Sequence, residues 1–151
     1  RILASGDGGA QFNVLVEGFP KLEPWQQAKL AVVPGRVRDL WLATSIGLFH
    51  SPDSKSKMAQ IRNVDEPWAI SFGAPMVKGN YPAIYLWGKV KGAEGLWRSD
   101  DTGANWVRIN DDAHRYGELR AIAGDMVEPG TVYLAPHGRG VIVGRPAGQG
   151  N

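Results

Sequence analysis

The chain has 151 residues, 43% of them hydrophobic and 21% charged, with a formal net charge of only +2. That balance fits one globular unit and excludes a disordered or highly basic chain, while the lack of cysteine excludes disulfides and thiolate metal sites. No stretch approaches the roughly 18 apolar residues of a membrane-spanning helix, and the basic pairs Arg36/Arg38, Lys55/Lys57 and Lys89/Lys91 are too dispersed for a nucleic-acid track.

Twenty glycines and ten prolines favour short elements and many turns, hence an all-β fold. The first residues, RILASGD at 1–7, read as a strand entered part-way, so the expected start is a cut point. A strand FNVLVE follows at 12–17. Next come KLAVVP at 29–34, DLWLAT at 39–44, GLFHSPD at 47–53 and KMAQI at 57–61. The same order then returns as AISFGAP at 69–75, AIYLWGKV at 83–90, GLWRSDD at 95–101 and WVRIN at 106–110. A third passage is LRAIAGD at 119–125, TVYLAP at 131–136 and GVIVGRP at 140–146. The small apolar strands that open each passage suit an inner position, near a central axis.

The turns between third and fourth strands repeat. Ser5, Asp7, Gly9 and Phe12 align with Ser99, Asp101, Gly103 and Trp106; a middle copy keeps Ser51, Asp53 and apolar Met58. A spacing of nearly fifty residues is the signature of stacked four-stranded blades. In such a turn the Asp carboxylate accepts backbone N–H groups, Ser bonds across the loop, and Gly supplies positive φ. The aromatic residue leaves the turn to pack between strands. No bidentate Glu closes a calcium loop, so no metal is expected. The motif resembles the Asp box of sialidases, sortilin-type propellers and several glycoside hydrolases.

Two longer passages narrow that resemblance. WVRINDDAHRYGELRAIAGD at 106–125, then GTVYLAPHGRGVIVG at 130–144, is similar to the C-terminal end of glycoside hydrolase family 74. Trp106, Ile109, Asn110, Asp111, Asp112, His114, Tyr116 and Gly117 match its first part; Val132, Tyr133, Gly138, Arg139 and Gly140 match its second. VPGRVRDLWLATSIGLFHS at 33–51 resembles an upstream family stretch.

The resemblance implies a secreted, xyloglucan-active enzyme of two seven-bladed propellers facing across a cleft. Residues 1–151 would be the C-terminal part of the second propeller, in blade fragments 1–18, 19–62, 63–110 and 111–151, with the remaining blades as partners. It implies an inverting pair of Asp residues, one per propeller, with no cofactor or metal. Neither carboxylate is placed in this chain: Asp7 shares the register of Asp53 and Asp101 and reads as a turn residue. The segment alone is then expected to be inactive, and its open sheet edges to make it oligomerise or aggregate. The competing reading is a non-catalytic propeller binding glycans or proteins, in the sortilin or lectin manner.

Blade topology separates two faces. The acidic turns lie on one; the second-to-third strand turns and the inter-blade connections lie on the other, where ligands are expected. The connections 17–27 and 62–70 share Glu-Pro-Trp, as Glu23-Pro24-Trp25 and Glu66-Pro67-Trp68. Trp25 and Trp68 can stack on sugar rings or plug gaps between blades. His114 and Tyr116, in the connection 110–118, can bond sugar hydroxyls or lock their loop with Asp111 and Asp112.

Overall fold

The structure is a computed structural model that describes residues 1–55 and 57–148; the last three residues of the expected final fragment lie outside that range. The described residues form thirteen strands in four antiparallel sheets. The first sheet pairs β1 (Ile2–Ala4) with β2 (Asn13–Val16). The second holds β3 (Ala28–Val32), β4 (Leu40–Thr44), β5 (Gly47–Ser51) and β6 (Ala59–Gln60) in chain order. The third repeats this order with β7 (Val64–Gly73), β8 (Ala83–Val90), β9 (Ala93–Ser99) and β10 (Val107–Arg108). The fourth holds β11 (Leu119–Gly124), β12 (Val132–Pro136) and β13 (Ile142–Gly144). The fold is all-β, and the sheets stack in chain order as successive propeller blades do.

The second strands explain the stacking. β4 is buried along its whole length and β8 almost so, because each is covered on both faces. Alternation divides their side chains between two seams. Leu40 and Leu42 meet Val16 of the first sheet, with Phe49 and Met58. Trp41 and Ala43 point the other way, onto Val64, Ile84 and Leu86. Tyr85 and Trp87 face Leu119, Ile122 and Leu134 of the fourth sheet. A sheet with two covered faces reads as a nearly continuous apolar run, as LWLAT and AIYLW do. The outer faces of the end sheets stay open: Leu3, Val14, Val141 and Val143 are all exposed.

Acidic turns close the third and fourth strands together. Ser99 Oγ donates to Asp101 Oδ1 at 2.9 Å and accepts from the Gly103 N–H at 2.9 Å. Asp101 Oδ1 then accepts the Asn105 N–H at 2.8 Å. The first copy repeats the pattern, with Ser5 Oγ to Asp7 Oδ1 at 2.7 Å, Gly9 N to Ser5 Oγ at 2.8 Å and Gln11 N to Asp7 Oδ1 at 3.0 Å. In the middle copy Asp53 Oδ1 accepts the Lys55 N–H at 2.9 Å, and Ser51 Oγ accepts the Ser54 N–H at 3.2 Å.

The turn at 99–106 also fastens two sheets. Gly103, at φ 81°, lies where an added Cβ would stand 2.9 Å from the Trp41 ring of the preceding sheet. Asn63 Nδ2 reaches back to the Ala104 carbonyl at 3.0 Å. Trp106 packs on the same seam. Phe12 departs from the expected packing and is 62% exposed, because it belongs to the uncovered face of the first sheet. Ser99→Ala should therefore cost about 1–3 kcal/mol, since it strands the buried Gly103 N–H. Ser5→Ala should cost less than half as much, because water reaches the exposed first turn. Urea denaturation of both variants checks the ranking.

β7 is longer than the sequence suggests. Pro67 argues against a strand before Ala69, yet β7 begins at Val64, so Glu66-Pro67-Trp68 lies inside it. The strand is at its sheet's edge, where a missing N–H is tolerated, and its register shifts twice around Pro67. The shift brings the Glu66 carbonyl against Gly88, where an added Cβ would lie 2.1 Å from its oxygen. Gly88→Ala should thus displace backbone and cost about 1–3 kcal/mol, with a lowered Tm as the readout.

Candidate functional site

One end of the stacked sheets collects the turns β4–β5 and β8–β9 with the connections into β3 and β11. These enclose an open cleft of about 670 Å³, within the size range of ligand pockets. Its walls include Trp25, Lys29, Thr44, Trp68, Trp87 and Glu118. Three indoles with a few scattered polar groups suit a ligand that has apolar faces and hydroxyl edges.

Each indole is held differently. Trp25 occupies a β-turn in which the Gln26 N–H donates to the Glu23 carbonyl at 2.9 Å, with Pro24 setting φ at the second position. Gln26 Oε1 accepts the Glu23 N–H at 2.8 Å, and the Trp25 ring is left 79% exposed. Trp68 is half-buried, tilted on Trp87 with ring centroids 5.7 Å apart. Its Nε1 donates to Glu66 Oε2 at 3.3 Å, and its carbonyl accepts Lys29 Nζ at 2.8 Å. Lys89 Nζ bonds the other Glu66 oxygen at 2.8 Å. That bond holds the Glu66 carboxyl below its ordinary range and keeps it a charged acceptor for Trp68.

His114 and Tyr116 take places beside the cleft and outside its lining. Asp111 Oδ1 accepts the His114 backbone N–H at 2.8 Å and lies 2.6 Å from His114 Nδ1. Asn110 Nδ2 donates to the His114 carbonyl at 3.0 Å. Tyr116 packs on the cluster that contains Trp87 and Leu119. Together these contacts fix the connection that delivers Gly117 and Glu118 to the cleft. The adjacent acids diverge: Asp112 Oδ1 accepts from Arg108 Nη2 at 2.8 Å, away from His114. Their bonds to His114 and to Arg108, respectively, lower both carboxyl pKa values.

None of Asp7, Asp53 and Asp101 lines the cleft. The Ser5 hydroxyl, then the Gln11 N–H, lowers the Asp7 pKa. Burial works to raise Asp101, and is outweighed by bonds from Asn105 and Ser99 that lower it. A general acid needs the opposite shift, so the lowering at Asp7 and Asp101 suits acceptors of turn hydrogen bonds.

No family model matches the chain. It is 38% identical over 157 residues to a xyloglucanase of a Paenibacillus species, covering 100% of this chain and 15% of that protein. It is 41% identical over 145 residues to a xyloglucanase of Acetivibrio thermocellus, covering 95% of this chain and 17% of that protein. Among solved structures, a GH74 enzyme of Niastella koreensis superposes with a TM-score of 0.72 at 35% identity, over 79% of this chain and 18% of that one. A GH74 xyloglucanase of Xanthomonas campestris gives 0.72 at 34%, over 87% and 18%.

The chain belongs to glycoside hydrolase family 74. It spans less than a fifth of the length of the family 74 relatives it matches. The cleft of this family 74 segment is also lined by residues that sequence reasoning did not single out. Trp87 reads as core, and at 5% exposure it is core, yet one part of it walls the cleft. Lys29 carries no local signal; its role comes from Trp68, thirty-nine residues away. Glu94 lines the cleft from the start of β9. Its position beside the β8–β9 turn, on the face opposite the acidic turns, was the available clue.

Proposed function

We propose that the protein carrying this chain hydrolyses the β-1,4-glucan backbone of xyloglucan with inversion, and that this chain supplies substrate-binding surface. The observation that carries this is 38–41% identity to bacterial xyloglucanases over nearly all of the chain. The cleft fits the role. Indole faces stack on the C–H faces of pyranose rings, and the polar rim meets hydroxyls. We place Trp25 and Trp68 in direct contact with sugar, while His114 and Tyr116 border the site and set its connection.

An inverting pair needs two carboxyl groups about 6.5–9.5 Å apart with a water between them. We assign that pair to parts of the protein outside this chain, which sits in the C-terminal part of the second of two seven-bladed propellers. The acidic turns are read as Asp boxes that close and fasten blades. Neighbouring blades would then cover Leu3, Val14, Val141 and Val143, which are exposed here. We also propose secretion, because a polymeric substrate meets its enzyme outside the cell.

Reducing-sugar release from xyloglucan by the protein carrying this chain is the test. Release is expected, and the 151-residue chain by itself should give none. No release by the larger protein would sink the proposal.

A further inference from the structure

Trp68 is held at three points. Its ring leans on Trp87. Its carbonyl takes Lys29 Nζ from the preceding sheet, and its Nε1 donates to Glu66 on its own strand. Trp68, Trp87 and Lys29 are walls of the cleft, whereas Glu66 and Lys89 are not. Glu66 is therefore bonded to a wall residue while standing behind the wall itself.

The strands put this tie in place. Residues two apart in a strand share a face, so Glu66 and Trp68 project together on either side of Pro67. The register sets Lys89 of β8 opposite Glu66, where unlike charges attract across an antiparallel pair. Lys89 Nζ takes Glu66 Oε1 at 2.8 Å and leaves Oε2 for the indole. The triplet Glu23-Pro24-Trp25 supplies a contrast within the same cleft. It lies in a turn, so no strand partner stands opposite Glu23, and the Trp25 ring is exposed. The cleft thus combines one free indole with one that is fixed before any ligand arrives. A side chain that is ordered in advance spares a ligand the entropy of ordering it.

We propose that Glu66, backed by Lys89, is a positioning residue for glycan binding. It fixes the Trp68 indole in the orientation that meets a sugar face. Glu66 acts through Trp68 and touches no ligand, and Lys89 keeps its carboxylate turned to the indole. This rests on the cleft being the glycan site.

The test measures kcat and KM of the protein carrying this chain on a xylogluco-oligosaccharide. Glu66→Ala should raise KM about threefold to tenfold and change kcat by less than about twofold. Lys89→Met should raise KM by less, because the acceptor stays. Glu66→Gln combined with Lys89→Met should bring KM back towards wild type, since the amide oxygen still accepts from Nε1 and no charge is left unpaired. In a Trp68→Ala background, Glu66→Ala should add nothing to KM. The Lys89 and Glu66 side chains are 37% and 46% exposed, so the variants should fold, with thermal melts as the control. An unchanged KM in Glu66→Ala, with Trp68→Ala still harmful, would overturn the positioning role alone. So would a double variant as poor as Glu66→Ala, or a Glu66→Ala effect that persists without Trp68. Unchanged KM in both Trp25→Ala and Trp68→Ala would overturn the cleft reading, and the positioning role with it.

Discussion

Replacing Asp39 by alanine is expected to destabilise the fold by about 3–5 kcal/mol. Asp39 is only 3% exposed, just before β4. Tyr81, in the β7–β8 loop of the next sheet, donates its hydroxyl to Asp39 Oδ1 at 2.9 Å, with Oδ2 at 3.0 Å. His50 Nε2 lies 2.8 Å from Oδ1, and the His50 ring stacks on Trp41 at 4.2 Å. Trp41 Nε1 in turn donates to the Tyr81 hydroxyl at 2.9 Å. The Arg36 guanidinium covers the Tyr81 ring at 4.6 Å. One buried carboxylate thus holds partly buried groups from two sheets, and its removal leaves them without their common acceptor.

Tyr81→Phe removes the hydroxyl that links Asp39 to Trp41 Nε1 and should cost about 1.5–3 kcal/mol. Urea unfolding of both variants and of the double variant should show strong coupling, since the residues are in direct contact. A loss below about 1 kcal/mol for Asp39→Ala would show that this cluster adds little to the joining of the two sheets. Burial first, then Asp39, raises the Tyr81 phenol above its ordinary value. A raised folded-state pKa favours the protonated form. The contribution is therefore complete below about pH 10, the unfolded value, and is lost as pH climbs towards the folded value.

Trp25→Ala is expected to leave stability within about 0.5 kcal/mol and to weaken glycan binding about tenfold or more. The ring is 79% exposed and belongs to none of the buried clusters, so truncation removes little folding energy. Trp68→Ala should do both kinds of damage, because its ring packs on Trp87 and its Nε1 is bonded to Glu66. Binding of xylogluco-oligosaccharides by calorimetry, beside thermal melts, separates the two effects. A Trp25→Ala protein that binds like wild type would remove the exposed indole from the site.

The comparison of these two tryptophans shows where sequence reasoning reaches its limit. Glu23-Pro24-Trp25 and Glu66-Pro67-Trp68 are identical triplets at similar places in the repeat. One forms a turn with a free ring; the other is built into an edge strand and half-buried. The difference lies with distant partners. Gly88 admits the Glu66 carbonyl, and Lys29 takes the Trp68 carbonyl. Neither partner is visible within a local window. His114 shows the same limit: its pairing with Asp111 is local and legible, but its place beside the cleft is not.

Local chemistry by itself determined the strand order, the acidic turns and the double-sided burial of LWLAT and AIYLW. A Ser, an Asp and a Gly at fixed spacing can close their own hydrogen bonds wherever the chain goes, and alternation imposes faces on any strand. Only the tertiary structure decided which indoles stay in solvent, where the cleft opens, and that Asp39 would take its partner from the next sheet. Those outcomes depend on backbones approaching across seams some forty residues apart, where contact distances, not neighbouring residue types, set what can be reached.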